Sequence, residues 1–434
     1  IIFGSMGAKG KLPVSIDDEF KVNEGIETLE IKRLGFSIPE NVGMNSKVLT
    51  KIDSIANYAI SKKMTPGIQV VVARKGKVIY QKSFGNHTYE STQKVNNTDV
   101  YDIASLTKIV ATLPNVMQEF DQGHLTLETK LKTMLPEAKN SNKANATVLD
   151  MLTHQARFQP WIPFYKATLD SLNRPSTHFY RSEFSDEFPV HVADKLYLRK
   201  NYNDTIVKTI LDSELLPKKQ YKYSDFTFIL FKEYLELHNK KSLEDLAHAN
   251  FFEPLGANSI MYNPLRKMNA NRIIPTENDN YFRHQIVQGY VHDMAAAMQG
   301  GISGHAGLFA NALDVAKVMQ MYLQKGSYGG RTYISENTFN TFNTCYFCKD
   351  GNRRGVGFDK PQLGNEGPTC GCVSLTSFGH TGFTGTMTWA DPEKEIVYVF
   401  LSNRTFPDSN ATNKLSKENI RENIQKVIYE AIIE

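Results

Sequence analysis

The chain has no long apolar run: the longest, Ile396 to Leu401, spans six residues. A membrane-spanning helix needs about 20, so no segment reads as one. An excess of one charge is missing as well. Fifty Lys and Arg stand against 46 Asp and Glu, for a net charge of +4. Over 434 residues that is too weak to point to a nucleic-acid partner. Internal repeats and low-complexity tracts are absent. Disorder is excluded from the other side, because 25 Phe and 20 Tyr supply far more core-forming area than a disordered chain carries. At about 150 residues per domain, the length fits two or three domains.

Cysteine is scarce and confined to one window, as Cys345-x-x-Cys348 and Cys370-x-Cys372. Four thiolates on zinc, disulfides in an oxidising compartment and free thiols are all compatible with it. The C-x-C pair is cramped for tetrahedral bonding, so no metal is assigned, and nothing in the sequence asks for a cofactor. The chain begins at Ile1 rather than Met. It reads as processed or excerpted, with any secretion signal upstream.

What is present falls into three stretches. Residues 1–36, punctuated by Gly4, Gly7, Gly10 and Pro13, read as a linker or the tail of a preceding domain. Leu49, Ile52, Ile55, Ala56, Ala59 and Ile60 then recur at helical spacing. Two strands, Ile68 to Ala73 and Val78 to Phe84, flank Lys75-Gly76 as a hairpin. Thr384 to Trp389 and Glu395 to Leu401 repeat that pattern around Asp391-Pro392, and a helix from Lys417 to Ile433 closes the chain. Between them, residues 111–299 read as mostly helical. The expected organisation is an α/β domain from residues 37–110 and 300–434, interrupted by a helical one. Within residues 158–202, ten aromatics (Phe158, Trp161, Phe164, Tyr165, Phe179, Tyr180, Phe184, Phe188, Tyr197 and Tyr202) accompany four prolines. Either this segment roofs a pocket or it packs on the inserted domain.

Three short motifs carry chemistry. Ser105-Leu106-Thr107-Lys108 places an amine three residues from a hydroxyl, on one helix face. A serine becomes a nucleophile when a neighbouring base takes its proton, and a buried lysine can be that base. Alone the motif means little, since about two chance matches are expected, and Ser91 with Lys94 is one. Ser91 lies in a polar run, whereas Ser105 opens an apolar helix, where the dipole favours negative charge. The bland reading makes Ser105 an N-cap and Lys108 a solvated side chain. Tyr223-Ser224-Asp225 offers a phenol that can shuttle a proton; its bland reading is a core tyrosine. His380-Thr381-Gly382-Phe383 is a glycine-flanked strand edge that could give a backbone N–H to an oxyanion, or simply a turn into the hairpin.

In this order, Ser105/Lys108, Tyr223/Asp225 and His380/Gly382 resemble the motifs of the serine β-lactamase and penicillin-binding-protein superfamily, in its class C-like branch of β-lactamases, DD-peptidases, esterases and D-amino-acid amidases. Gly123 to Glu128, Leu135-Pro136-Glu137, Leu152-Thr153-His154, Gly307-Leu308-Phe309 and Asp314-Val315-Ala316 are similar to smaller family signatures. The resemblance runs from about Asn45 to Arg404. It implies an antiparallel sheet flanked by helices, with an inserted helical domain, and an acyl-enzyme at Ser105. Lys108 and Tyr223 would move the proton, with the resting base left open. The N–H groups of Ser105 and Phe383 would hold the oxyanion, and Asp225, His380, Thr381 and Gly382 would meet the substrate. Asp225 stands where the family usually has Asn, His380 where antibiotic-binding members have Lys, and Arg157 where Gly usually follows the L-T-H turn.

Gly10-Lys-Leu-Pro-Val-Ser-Ile16 resembles the closing strand of a family-three glycoside hydrolase, of a kind fused to such domains in Bacteroidetes-like bacteria. The expectation is a periplasmic or cell-envelope serine hydrolase, linked to an upstream glycosidase and acting on an ester or amide of a small molecule or cell-wall fragment. A DD-peptidase or β-lactamase proper is one alternative. A silent binding module beside the glycosidase is the other.

Overall fold

The computed structural model describes residues 7–28, 30–364, 367–411 and 413–433. The first six residues of the expected tail lie outside them. A six-stranded sheet organises the fold. Its strands are β1 (Gly35–Phe36), β2 (Gly67–Arg74) and β3 (Lys77–Gly85) from the start of the chain, and three from its end. A second sheet of three short strands combines β4 (Tyr101–Asp102) and β5 (Met261–Tyr262) with β7 (Leu308–Ala310), while β6 (Glu277–Asp279) belongs to a separate hairpin. The closing strands of the main sheet are β8 (Phe378–Thr381), β9 (Met387–Asp391) and β10 (Ile396–Ser402), giving the order β1-β3-β2-β10-β9-β8. Every pairing is antiparallel except that of β1 with β3. The end of the expected tail thus joins the sheet as its edge.

Side chains alternate across a strand, and both central strands use both faces. On β2, Ile68, Val70 and Val72 pack with α1 (Lys51–Ser61) and the closing helix, while Val71 and Ala73 face the other core. On β10, Ile396, Tyr398 and Phe400 join the first set and Val397, Val399 and Leu401 the second. The second core is continuous with α2 (Leu113–Asp121), α3 (Tyr202–Asp212), α4 (Phe226–Asn239) and α5 (Ala312–Leu323), so one apolar interior supports both sides of the cleft. The closing helix α6 runs Ile420–Glu430, shorter than the apolar stripe predicts, because a separate turn takes Lys414–Lys417.

Three expectations are refined. The strand predicted from Thr384 begins at Met387, because Thr384 and Thr386 turn their hydroxyls to the carbonyls of Asp102 (2.9 Å) and Ile103 (3.2 Å). The cysteines form two disulfides, Cys345–Cys348 and Cys370–Cys372, and so are not held as zinc ligands. Of the ten aromatics in residues 158–202, Trp161 lines the main cleft; Phe158, Phe164, Tyr165, Tyr180 and Phe188 are buried in packing. No helix among the described residues is long and apolar enough to cross a membrane.

Candidate active site

Ser105 sits where β4 turns into a helix. Asp102 Oδ1 accepts the Ala104 N–H (2.8 Å) and its Oδ2 accepts that of His292 (2.7 Å), which fixes the turn. Ala104 takes φ +47, in the left-handed region where a non-glycine residue costs roughly 1–2 kcal/mol. Such strain persists where the surroundings over-determine it. A short 3₁₀ turn, Ala104–Leu106, passes into a π turn at Lys108–Thr112 before α2. Proline explains the widening. Pro114 has no N–H to close a regular turn, Leu113 N–H reaches back five residues to the Lys108 carbonyl, and the Ile109 carbonyl takes Tyr322 OH instead (2.8 Å).

The π turn leaves Lys108 fully buried with its amine on three oxygens. Nζ donates to Ser105 Oγ (2.9 Å) and to the His305 carbonyl (3.0 Å), and it pairs with Asp225 Oδ1 at 2.7 Å. Burial alone would push the amine down. Asp225, and then Tyr223, outweigh it and hold Lys108 above its usual value as an ammonium. Tyr223 OH donates to Ser105 Oγ at 3.1 Å, and burial raises its phenol despite the opposing Lys108 charge. Tyr223 and Asp225 are set by their own backbone. Lys222 N–H goes to the His154 carbonyl (2.9 Å), Asp225 N–H to that of Pro160 (3.0 Å), and Ser224 Oγ to that of Gln159 (2.6 Å). Asp225 precedes the first turn of α4, where a carboxylate is favoured.

Opposite the serine, Gly382 lets the β8 end approach the turn that carries Ser105. A Cβ there would lie 2.9 Å from the Ile103 carbonyl and 2.1 Å from Thr386 Oγ1. The N–H groups of Ser105 and Phe383 have no acceptor among the described residues. Ser105, Tyr223, Asp225, Trp161, Met294 and Phe383 line one cleft of about 330 Å³.

A family model described as Beta-lactamase matches residues 56–419. The chain belongs to the beta-lactamase family. It is 26% identical over 396 residues to the "Putative D-alanyl-D-alanine carboxypeptidase" of Escherichia coli K12, covering 85% of each chain. It is 27% identical over 395 residues to the N-acetylmuramyl-L-alanine amidase of Bacillus subtilis strain 168, covering 84% of this chain and 83% of that one. Among solved structures, that of EstCE1, a hydrolase with promiscuous acyltransferase activity, aligns with a TM-score of 0.64 at 17% identity, over 88% of this chain and 99% of the other. This beta-lactamase-family protein is a serine hydrolase.

Not every predicted site residue reaches the cleft. Lys108, His380, Thr381 and Gly382 are absent from its lining, Lys108 lying beneath Ser105. His380 is buried behind Tyr223, with ring centroids 6.0 Å apart. Its Nδ1 lies 2.7 Å from the Thr381 carbonyl, and its Nε2 has no partner. Burial, then the charges of Arg354 and Lys108, hold its pKa well below the ordinary value, so it is neutral. Arg157 adopts φ +62 and donates from Nε to the Leu216 carbonyl (2.5 Å). Glycine adopts such a left-handed backbone more readily than arginine does. Sequence reading missed Arg354, which lies 5.3 Å from the Tyr223 ring centroid and donates to Tyr221 OH at 3.2 Å. It also missed His305, whose carbonyl holds Lys108 while its ring meets Asp293 (2.8 Å). Both are brought in from distant segments, and no local pattern marks them.

Proposed function

We propose that this enzyme forms an acyl-enzyme at Ser105 while cleaving an amide or ester of cell-envelope, peptidoglycan-derived material. The observation that carries the reading is the convergence of Lys108 and Tyr223 on Ser105 Oγ, inside a cleft that also holds two unengaged backbone N–H groups. Both neighbours donate to Oγ at rest, so one must lose its proton before attack. Lys108 is the better base. Loss of one Lys108 proton to solvent, against the pull of Asp225 at 2.7 Å, leaves a neutral amine 2.9 Å from the serine. That amine takes the Ser105 proton as Oγ adds to the carbonyl. The oxyanion is held by the N–H groups of Ser105 and Phe383, and Tyr223 delivers a proton to the leaving group while the Lys108 ammonium returns the serine proton to Tyr223. Water then repeats the sequence on the acyl-enzyme.

The names of the two relatives support a cell-wall substrate. The disulfides support an oxidising compartment, hence a periplasmic or envelope location. The Gly10–Ile16 stretch supports an upstream glycosidase unit, a reading that the coding sequence preceding Ile1 tests directly. A DD-peptidase or β-lactamase proper is favoured by the carboxypeptidase relative. The neutral, buried His380 weighs against it, since it offers no charge to a substrate carboxylate.

Intact-mass analysis with a fluorophosphonate and a β-lactam panel tests the reading. One adduct per chain at Ser105 is expected from the fluorophosphonate. Ser105→Ala should lose the adduct and at least about 10³-fold in hydrolysis of the best nitrophenyl ester or muropeptide. An adduct elsewhere, or unchanged turnover in the variant, would remove Ser105 from the chemistry.

A further inference from the structure

The far ends of the two helices that follow the motifs also meet. Glu119, near the end of α2, turns Oε2 toward His124 Nδ1 at 2.8 Å and His238 Nε2, near the end of α4, at 3.3 Å. The two imidazole nitrogens are themselves 3.3 Å apart. A tetrahedral ion with ligand bonds of about 2.0–2.1 Å separates its ligand atoms by about 3.3 Å. Two of the three distances match that spacing, and the third opens when an ion replaces the shared proton.

The surroundings hold these ligands as a metal site does. Asn239 Nδ2 donates to Glu119 Oε1 at 2.9 Å, while Oε2 faces the imidazoles and takes a long contact from Tyr234 OH at 3.5 Å. Tyr234 stacks on the His238 ring, with centroids 5.5 Å apart. The loop after α2 is folded back by the N–H of His124 on the Glu119 carbonyl (2.9 Å). The Glu119 side chain is 6% exposed, whereas those of His124 and His238 are 42% and 39% exposed. The site is therefore anchored on one side and open to solvent on the other, where a water can complete the coordination.

We propose that Glu119, His124 and His238 bind a divalent transition metal ion of the zinc class, which clamps α2 to α4. Two imidazoles and one carboxylate suit Zn²⁺ and Co²⁺ and disfavour Mg²⁺ or Ca²⁺, which take all-oxygen sets. Glu119 follows Ser105, and His238 follows Asp225, by roughly 20 Å of helix in each case. The ion therefore touches no reacting group and acts on the frame. Binding does not depend on the reading of Ser105. Only the link to the motifs does.

Chelator-treated full-length chain titrated with ZnCl₂ in a calorimeter should bind one equivalent. Co²⁺ in its place should give the visible bands of tetrahedral nitrogen and oxygen coordination. At a hundredfold excess over Kd, Zn²⁺ should raise Tm by about 3 °C, with kcat/KM within twofold. His124→Gln and His238→Gln alter exposed side chains and should fold normally, with metal-free Tm as the check. Each should weaken Zn²⁺ binding at least tenfold and lose the Tm rise. No stoichiometric binding, or binding and Tm rise intact in both variants, would overturn the site. Fluorophosphonate labelling of Ser105 is scored separately, so failure of one reading is distinguishable from failure of the other.

Discussion

Lys108 controls the site because a fully buried ammonium needs partners, and its strongest electrostatic one is Asp225. With Lys108 as base, the acid limb of kcat/KM reports its deprotonation. In the wild type Lys108 lies above its usual value, so activity should keep rising with pH through neutrality. Asp225→Asn leaves burial as the larger effect, which lowers the amine. The acid limb should then move down by at least about one pH unit. A pH profile on a nitrophenyl ester measures this. A limb that stays in place would show that Asp225 does not set the base. Retained activity in Tyr223→Phe would separately argue that the phenol is dispensable to the proton path.

At the scale of elements, the cleft exists because a strand end and a helix start approach more closely than side chains normally permit. Gly382 makes that contact, since a methyl group there would press on Ile103 and Thr386. Gly382→Ala should therefore shift the Phe383 N–H away from the oxyanion position. The expected cost is about 10²-fold in kcat with a smaller change in KM, as for loss of one oxyanion donor. Equal kcat in variant and wild type would show that the β8 end yields without consequence. These elements were unevenly legible in the sequence. The strands β2 and β10 were readable as near-continuous apolar runs because both of their faces are buried. The helices α1 and α6 were readable from a single apolar stripe. The start of β9 was not, since Thr384 and Thr386 bond to the Asp102 and Ile103 carbonyls, partners more than 280 residues away in sequence. Ser105, Lys108, Tyr223 and Asp225 stand in short motifs that a sequence displays, and the structure brings those four side chains together. His380 lies buried beside Tyr223, a neighbourhood that no local spacing reveals.

Across the whole molecule, the segment between the two parts of the main sheet is joined to the chain's end by β6. Asn278 N–H donates to the Pro407 carbonyl (2.8 Å), and Thr405 Oγ1 to that of Thr276 (2.8 Å). Glu277 lies at the centre of this seam. Its carboxylate meets His292 Nε2 (3.1 Å), Tyr281 OH (2.9 Å) and Ser409 N–H (3.2 Å). Burial pushes its pKa up, but His292 and the hydrogen bonds outweigh it and bring the group from 4.5 down to about 2. A carboxyl depressed in the folded state stabilises it fully above the unfolded value, and that contribution disappears as pH falls through the folded one. Glu277→Gln should thus destabilise the protein by about 2–3 kcal/mol at pH 7, roughly 3 °C in Tm for a chain of this size. The difference from wild type should hold down to about pH 4.5 and close towards pH 2. Paired thermal melts across that range measure it. A difference that is constant with pH would mean that packing, rather than the ionised carboxylate, holds the seam.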